Sequence, residues 1–502
     1  MGVDTSADNL ADSAIKLNSR SLGNLSPTVT VPTYDRSNIT TGILHMSVGG
    51  FHRAHLAVYI DDMCQDHGDR DWGICGVGLL KSDARMRDAL IPQDTLYTVI
   101  ERSQTEERAR IIGSLREYLY APENPERVLM KMSSPSIRIV SLTVTEGGYF
   151  INEGTGEFDA NRPDIEHDLH NPNEPITAVG YIVEALNRRH RDGIAPFTVL
   201  SCDNLQTNGE VARKIVLAFA ERRDSALRTW IEQNVAFPNC MVDRITPATT
   251  EEDRVMVRQK FGIDDAWPVV CEPFRQWVVE DNFCNGRPQW EPLGVHMTND
   301  VLPYELVKLR LLNASHSAMG YLGYLAGFTY IHEIMVDPQF ELYIRTLMDQ
   351  EVTPLLKEVP GIDLEQYKHT LIDRFANPAI KDQAARICLD GSSKLPKFIL
   401  PSISEQLALG GPIKMLTLVV ASWIRYLNGT DELGQPIVID DPLAEKLTSL
   451  AKAGGRDPSN LLNVRELFGD LGQSKVFVGQ LSKTLQRLYA DGARATLAHH
   501  LG

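Results

Sequence analysis

Gly42-Ile43-Leu44-His45-Met46-Ser47-Val48-Gly49-Gly50-Phe51-His52-Arg53-Ala54-His55 runs from an apolar stretch through a glycine pair into a helical pattern. Its spacing predicts a strand over Gly42–Val48, a tight turn at Gly49-Gly50 and a helix over His52–Gln65, and Gly73–Leu80 (GICGVGLL) predicts the next strand. That is β-α-β at the length of one crossover unit. Further buried strands are expected at Ile137–Thr145 and Phe197–Cys202, followed by a helix from about Gly209 to Glu221. Strands alternating with helices imply a largely parallel sheet with helices on both faces.

Beyond residue 300 the pattern turns helical, with apolar helical spacing over Leu306–Leu325, Gln339–Leu356 and Pro412–Leu427. The expected fold class is therefore α/β: a Rossmann-type parallel-sheet N-terminal domain, residues 1–295, and then a mainly α-helical domain, residues 296–502. The boundary is placed in the Gly/Pro/Trp-containing connection Gly286–Gly294. Residues 1–40 are polar and read as an extension that packs on the first domain.

Composition narrows the function. The chain has 502 residues, 43% hydrophobic and 23% charged, with a net charge of −16. Such an acidic surface disfavours nucleic acid and anionic membranes as partners. The seven cysteines are scattered without a CxxC, which points to a reducing compartment and away from a cysteine-clustered zinc site. The longest apolar stretch, around Ala318–Ile331, is too short and glycine-rich to span a membrane. The N-terminus shows no signal-peptide pattern, so a cytoplasmic protein is expected.

The glycine turn directly after the first strand is where a dinucleotide's pyrophosphate meets free backbone N–H groups. Gly49 and Gly50 permit close backbone approach, and Arg53 adds a positive charge nearby. The match to GxGxxG is partial, with Ser47 at the first glycine's place. Asp83 is the candidate acid for the adenosine ribose, which favours NAD; neighbouring Lys81 suits a 2′-phosphate instead. His52 and His55 fit either a structural or a phosphate-proximal role better than a metal site, since no third ligand accompanies them.

A second constellation lies on the helix near residue 308. At about 100° per residue, Lys308, Asn313 and His316 fall within an arc of roughly 140°, with Glu305 inside it. Polar groups among apolar ones are costly unless paired or used, and a lysine in apolar surroundings can become a general base. The same spacing also fits an exposed lysine beside a satisfied core histidine. Ser201-Cys202-Asp203-Asn204-Leu205 follows a buried strand, where Asn204 is either a neutral donor or a turn residue. Thr145-Glu146-Gly147-Gly148-Tyr149 ends another strand and reads as a tight turn or a close approach to cofactor.

Taken in order, Val48–His55, Thr145–Tyr149, Ser201–Leu205, Met241–Pro247 (MVDRITP) and the Lys308 helix resemble the polyol-specific long-chain dehydrogenase/reductase family over nearly the whole chain from Gly42. The resemblance implies a monomeric, NAD-dependent and zinc-independent enzyme acting on a small polyol or ketose. D-mannitol and D-fructose would be interconverted by hydride transfer at C2; arabinitol or the hexuronate fructuronate are the alternatives within the family. It implies Lys308 as general acid/base, Asn204 and Asn313 as oxyanion donors, His316 orienting the hydroxyls, Glu305 moving protons between Lys308 and solvent, and Asp243 near the reacting centre. Arg386 and Lys394 match positions for the distal hydroxyls. The cofactor positions are Ser47, Val48, Gly49, Gly50, Phe51, Arg53, Asp83, Glu146 and Gly147; no metal ligands are implied. Ser47 departs from the family's usual glycine.

Overall fold

The computed structural model describes residues 14–152 and 156–502, and the chain divides into two compact units, Met1–Val301 and Leu302–Gly502. In the first, β1 (Thr41–Met46), β2 (Gly73–Gly78), β3 (Leu115–Tyr120), β4 (Ile139–Leu142) and β5 (Thr198–Ser201) form one sheet in the order β3-β2-β1-β4-β5. Every neighbouring pair is parallel. All residues of β1, β2, β4 and β5 are buried. This is why these strands read as continuous apolar runs rather than alternating ones. Successive residues face opposite layers. Leu44, Cys75, Val140 and Val199 pack in the core with the helices Ala178–Arg191 and Asn208–Arg223. Ile43, Ile74, Ile139 and Leu200 pack on the other side with Leu56–Asp62. The Rossmann-type domain expected from the sequence is present, and the strand order reverses between β1 and β4, where such sheets hold ligands.

Several elements escaped the sequence reading. β6 (Cys240–Asp243), β7 (Gln276–Glu280) and β8 (His296–Thr298) form a mixed sheet, β6 antiparallel and β8 parallel to β7. The pairing of β8 holds residues 296–298 in the first unit, so the division falls after Val301. Val29–Thr30, Tyr97–Arg102, Glu107–Ile112 and Val269–Cys271 form a four-stranded sheet. Tyr97–Arg102 and Glu107–Ile112 form an antiparallel hairpin, while Val29–Thr30 and Val269–Cys271, short strands from remote parts of the sequence, add to its two edges. Of the N-terminal extension, residues 1–13 lie outside the described residues. The rest is woven in: Ile15–Lys16 pairs with Ile263–Asp264, Val29–Thr30 pairs with Ala109–Arg110, and the Tyr34 hydroxyl donates to buried Asp61.

The second unit is built of helices joined by irregular connections, with isolated bridges and no strand among its described residues. Its central helix, Lys414–Leu427, is buried from Met415 to Leu427 and packs on Lys475–Leu501 and Ala314–Leu325. A helix apolar on all sides must lie inside, and its first N–H groups then need partners other than water. Ile413 and Lys414 offer none. Glu351 does, accepting from Met415 N at 2.7 Å and Leu416 N at 2.8 Å. Burial pushes the Glu351 carboxyl up, and these N–H donors oppose that shift. Among the described residues no helix is long and apolar enough to cross a membrane. We expect Glu351→Ala to destabilise this unit by about 2–3 kcal/mol, leaving two buried donors unmatched. Thermal unfolding should show a midpoint lower by roughly 5–10 °C; an unchanged midpoint would mean that the cap contributes nothing.

Candidate active site

The turn after β1 is strained and buttressed. Ser47 takes a left-handed φ of 69°. Its N–H donates to Val77 O at 2.9 Å, and its carbonyl accepts from Gly49 N at 2.9 Å and from Thr143 Oγ1 at 2.8 Å. Thr143 is held in turn by His45 Nε2 at 2.9 Å, whose Nδ1 reaches Ser141 Oγ at 2.8 Å. The His45 ring stacks on His52, centroids 3.4 Å apart. Burial lowers the His45 pKa to about 3 and drives His52 well down, so both are neutral. His55 bonds Gln276 O through Nε2 at 2.9 Å. Among the described residues no group of three or more His, Cys, Asp or Glu is placed to hold a metal.

Gly49 precedes the first helical turn, Gly50–Ala54, and is exposed; a Cβ there would meet nothing within 4 Å. Val48 is buried, and Phe51 stacks on His55 at 5.0 Å. Arg53 is fully buried, donates to Trp267 O and sits 5.2 Å from the Tyr97 ring centre. Its Nε and Nη2 are buried with no hydrogen-bond partner among the described residues. Asp83 stands just past β2, half-buried, with Oδ2 accepting from Leu80 N at 2.9 Å. A cavity of about 480 Å³ is lined among others by Ser47, Lys81, Pro122, Val144, Gly148 and Tyr181. Glu146 and Gly147 are exposed on the loop after β4.

The ends of β5 and β6 carry the first unit's remaining candidates. Asn204 is exposed directly after buried Asp203. The Asp203 carboxylate accepts from Val144 N at 3.1 Å, Thr145 N at 2.8 Å and Tyr149 OH at 2.6 Å. Asn208 ties this loop to β6, donating to Asp203 O at 3.0 Å and Cys240 O at 2.8 Å. Asp243 ends β6 in a buried position. Arg244, whose side chain is wholly buried, fixes it from behind by donating to Ala54 O at 2.6 Å and Glu272 O at 2.9 Å.

In the second unit Glu305, Lys308, Asn313 and His316 share one helical run, Leu302–Leu325, whose middle, Lys308–Asn313, is π-helical. The Ala314 N–H reaches back five residues to Leu309 O. Such i→i+5 bonding brings residues five apart above one another, so Lys308 and Asn313 lie on closer faces than the α-helical arc predicts. Lys308 and Glu305 are buried. Asn313 Oδ1 is buried with no hydrogen-bond partner among the described residues, leaving an amide end for a ligand. The His316 ring lies 4.8 Å from Phe375. Arg310 pins the π segment through a two-pronged bridge to Glu405 at 2.7 and 2.6 Å. π segments recur at functional sites because the widened turn re-aims side chains.

Arg386 and Lys394 lie near one another in sequence and both are engaged. Arg386 is held by Asp382 through two bonds of 2.7 Å, and Lys394 Nζ donates to Leu389 O at 2.6 Å. The sequence reading missed the supporting residues Thr143, Asp203, Tyr149, Asn208 and Arg244. The signal was present: His45, Ser141 and Ser201 are polar residues inside strands otherwise apolar, and a buried polar group demands a partner. For the strained turn, Ser47→Gly should keep or slightly raise stability, relief of about 1–2 kcal/mol being partly offset by glycine's greater unfolded-state entropy. Ser47→Val should lose about 1–3 kcal/mol. Denaturant titration checks both; equal losses would show the turn to be unstrained.

With the site's geometry in place, comparison with known proteins gives a consistent answer. The model of the mannitol dehydrogenase Rossmann domain matches residues 41–292, and that of the mannitol dehydrogenase C-terminal domain matches residues 300–489. The chain is similar to a Phaeosphaeria nodorum mannitol 2-dehydrogenase, 52% identical over 97% of this chain and 86% of the relative. It is also similar to Saccharomyces cerevisiae mannitol dehydrogenase 2, 50% identical over 96% of this chain and 97% of the relative. Among solved structures, Pseudomonas fluorescens mannitol 2-dehydrogenase in ternary complex with NAD and D-mannitol superposes with a TM-score of 0.91 at 48% identity, covering 97% of this chain and 99% of that one. A D-sorbitol dehydrogenase in substrate-free form gives 0.87 at 38% identity, covering 96% and 100%.

Proposed function

Because this chain belongs to the mannitol dehydrogenase family, we propose that it interconverts D-mannitol and D-fructose with NAD, by hydride transfer at C2 and without zinc. The observation that carries the reading is the π segment, which sets buried Lys308 one turn from the Asn313 amide.

The first unit fits NAD. Exposed Gly49 leaves the backbone open after β1, at the switch point with β4, and the adjoining cavity passes the ends of β1, β2 and β4. Ser47, Val48, Gly49, Gly50 and Phe51 would cradle the pyrophosphate, Asp83 would bind the ribose, and Glu146 and Gly147 would approach from the β4 loop. Bound NAD supplies the acceptor for the hydride that leaves C2.

The remaining steps belong to side chains. Neutral Lys308 takes the proton from the C2 hydroxyl, and in reduction protonated Lys308 returns it. Asn204 and Asn313 stabilise the developing oxyanion as neutral donors, adding no charge that would trap the ground state. Glu305, one turn before Lys308, relays the proton to solvent. Asp243 orients the reacting end, and His316 orients the hydroxyls. Arg386 and Lys394 bind the distal hydroxyls. The commitment of Arg386 to Asp382 leaves less net charge for a substrate carboxylate, which favours a polyol over a hexuronate. Seven free thiols fit a reducing compartment, and we extend the reading to a cytoplasmic monomer.

We expect Lys308→Ala to lower kcat by roughly 10²–10⁴-fold while NADH binding stays near wild type. Activity close to wild type would remove Lys308 from the base role. NADH oxidation should proceed strongly with fructose, weakly with fructuronate, weakly with NADPH in place of NADH, and unchanged by chelators. Turnover confined to fructuronate would make Arg386 and Lys394 carboxylate binders, and inhibition by chelators would overturn the zinc-independent mechanism.

A further inference from the structure

Two non-glycine residues bracket the loop after β4 in conformations that side chains avoid. Thr145 has φ 62° and ψ 171°, a region otherwise left to glycine, and Phe150 is left-handed at φ 51°. Such strain persists only where the surroundings over-determine it. At Thr145 they do so through one side chain. Asp203, only 8% exposed, accepts from Val144 N, Thr145 N and the hydroxyl of buried Tyr149, and that hydroxyl also meets Ser201 Oγ at 2.5 Å. A single carboxylate thus joins the ends of β4 and β5. Only an acceptor at both oxygens satisfies two convergent N–H groups and a hydroxyl; an amide would turn an NH₂ on one of them.

We propose that Asp203 is a positioning residue, clamping the Val144–Tyr149 loop in its strained form so that Gly147 and Gly148 present bare backbone to the dinucleotide. The inference rests on the NAD reading above for its ligand, while the clamp itself stands on the bonds to residues 144, 145 and 149. Val144 and Gly148 line the cavity beside the β1 turn, so a loop relaxed at Thr145 would change that wall. Asp203 is saturated by its donors and acts through the loop.

The test uses the full chain as wild type, Asp203→Asn, Thr145→Gly and the double variant. The Kd for NAD is read by quenching of protein fluorescence. Asp203→Asn should weaken NAD roughly tenfold, the loss of a charge-assisted bond. In the Thr145→Gly background the same change should weaken it less than threefold, because glycine holds that conformation unaided. Equal losses in both backgrounds would overturn the clamp, since general destabilisation is not rescued by removing a side chain at residue 145. Amide hydrogen exchange of residues 144–149 reads the clamp without ligand: protection should fall in Asp203→Asn, and unchanged protection would overturn the proposal. Should Asp203→Asn fail to fold, Tyr149→Phe keeps the carboxylate and removes one donor. It is expected to weaken NAD about threefold and to raise exchange at residue 145; no change in either would overturn the proposal. Wild-type protein that failed to bind NAD while showing the exchange effect would refute the NAD reading and leave the clamp in place.

Discussion

The first unit depends on a sheet that water does not reach. With β1, β2, β4 and β5 buried along their whole length, no side chain within them can serve a solvent-borne ligand directly. Reactive and binding groups must therefore stand just beyond the strands' C-terminal ends, where backbone leaves the ladder. Ser47, Asp83, Glu146 and Asn204 all occupy such positions or the first turns after them, and Asp243 is the last residue of β6. Three polar residues inside the strands serve those ends. His45 and Ser141 hold Thr143 against the Ser47 carbonyl, and Ser201 shares a hydrogen bond with Tyr149 beside Asp203.

The two loops on either side of the strand-order reversal are built alike. Each contains a non-glycine residue at positive φ, Ser47 or Thr145, and each is secured by a polar side chain from a neighbouring strand end. Strain of this kind costs of order 1–3 kcal/mol per residue and is tolerated where a fixed backbone shape is useful. A glycine would remove the strain at residue 47. Serine instead relies on three backbone-directed bonds around that turn.

The helical unit solves a different problem. Its catalytic candidates lie on a helix that must be buried on most sides yet open toward a small molecule. The π segment widens one turn, shifts Asn313 toward Lys308, and is held from outside by the Arg310–Glu405 bridge. The buried helix Lys414–Leu427 supplies the apolar floor of this unit, and Glu351 closes its otherwise unmatched N-terminus.

Local chemistry made much of this legible in the chain alone. The Gly42–His55 run predicts strand, turn and helix because apolar spacing and a glycine pair act over a few residues. The polar residues at strand ends and on the Lys308 helix were visible as exceptions to apolar patterns. Four things depended on the tertiary structure. The short strands β6, β7 and β8 form because remote segments pair, so no local period announces them. Arg53 is buried under its turn because Trp267 and Tyr97, distant in sequence, surround it. The π turn and the Asp203 clamp likewise arise from partners such as Glu405 and the backbone of residues 144 and 145. Local propensity says which residues are polar and where the chain turns; only long-range packing decides which donor meets which acceptor.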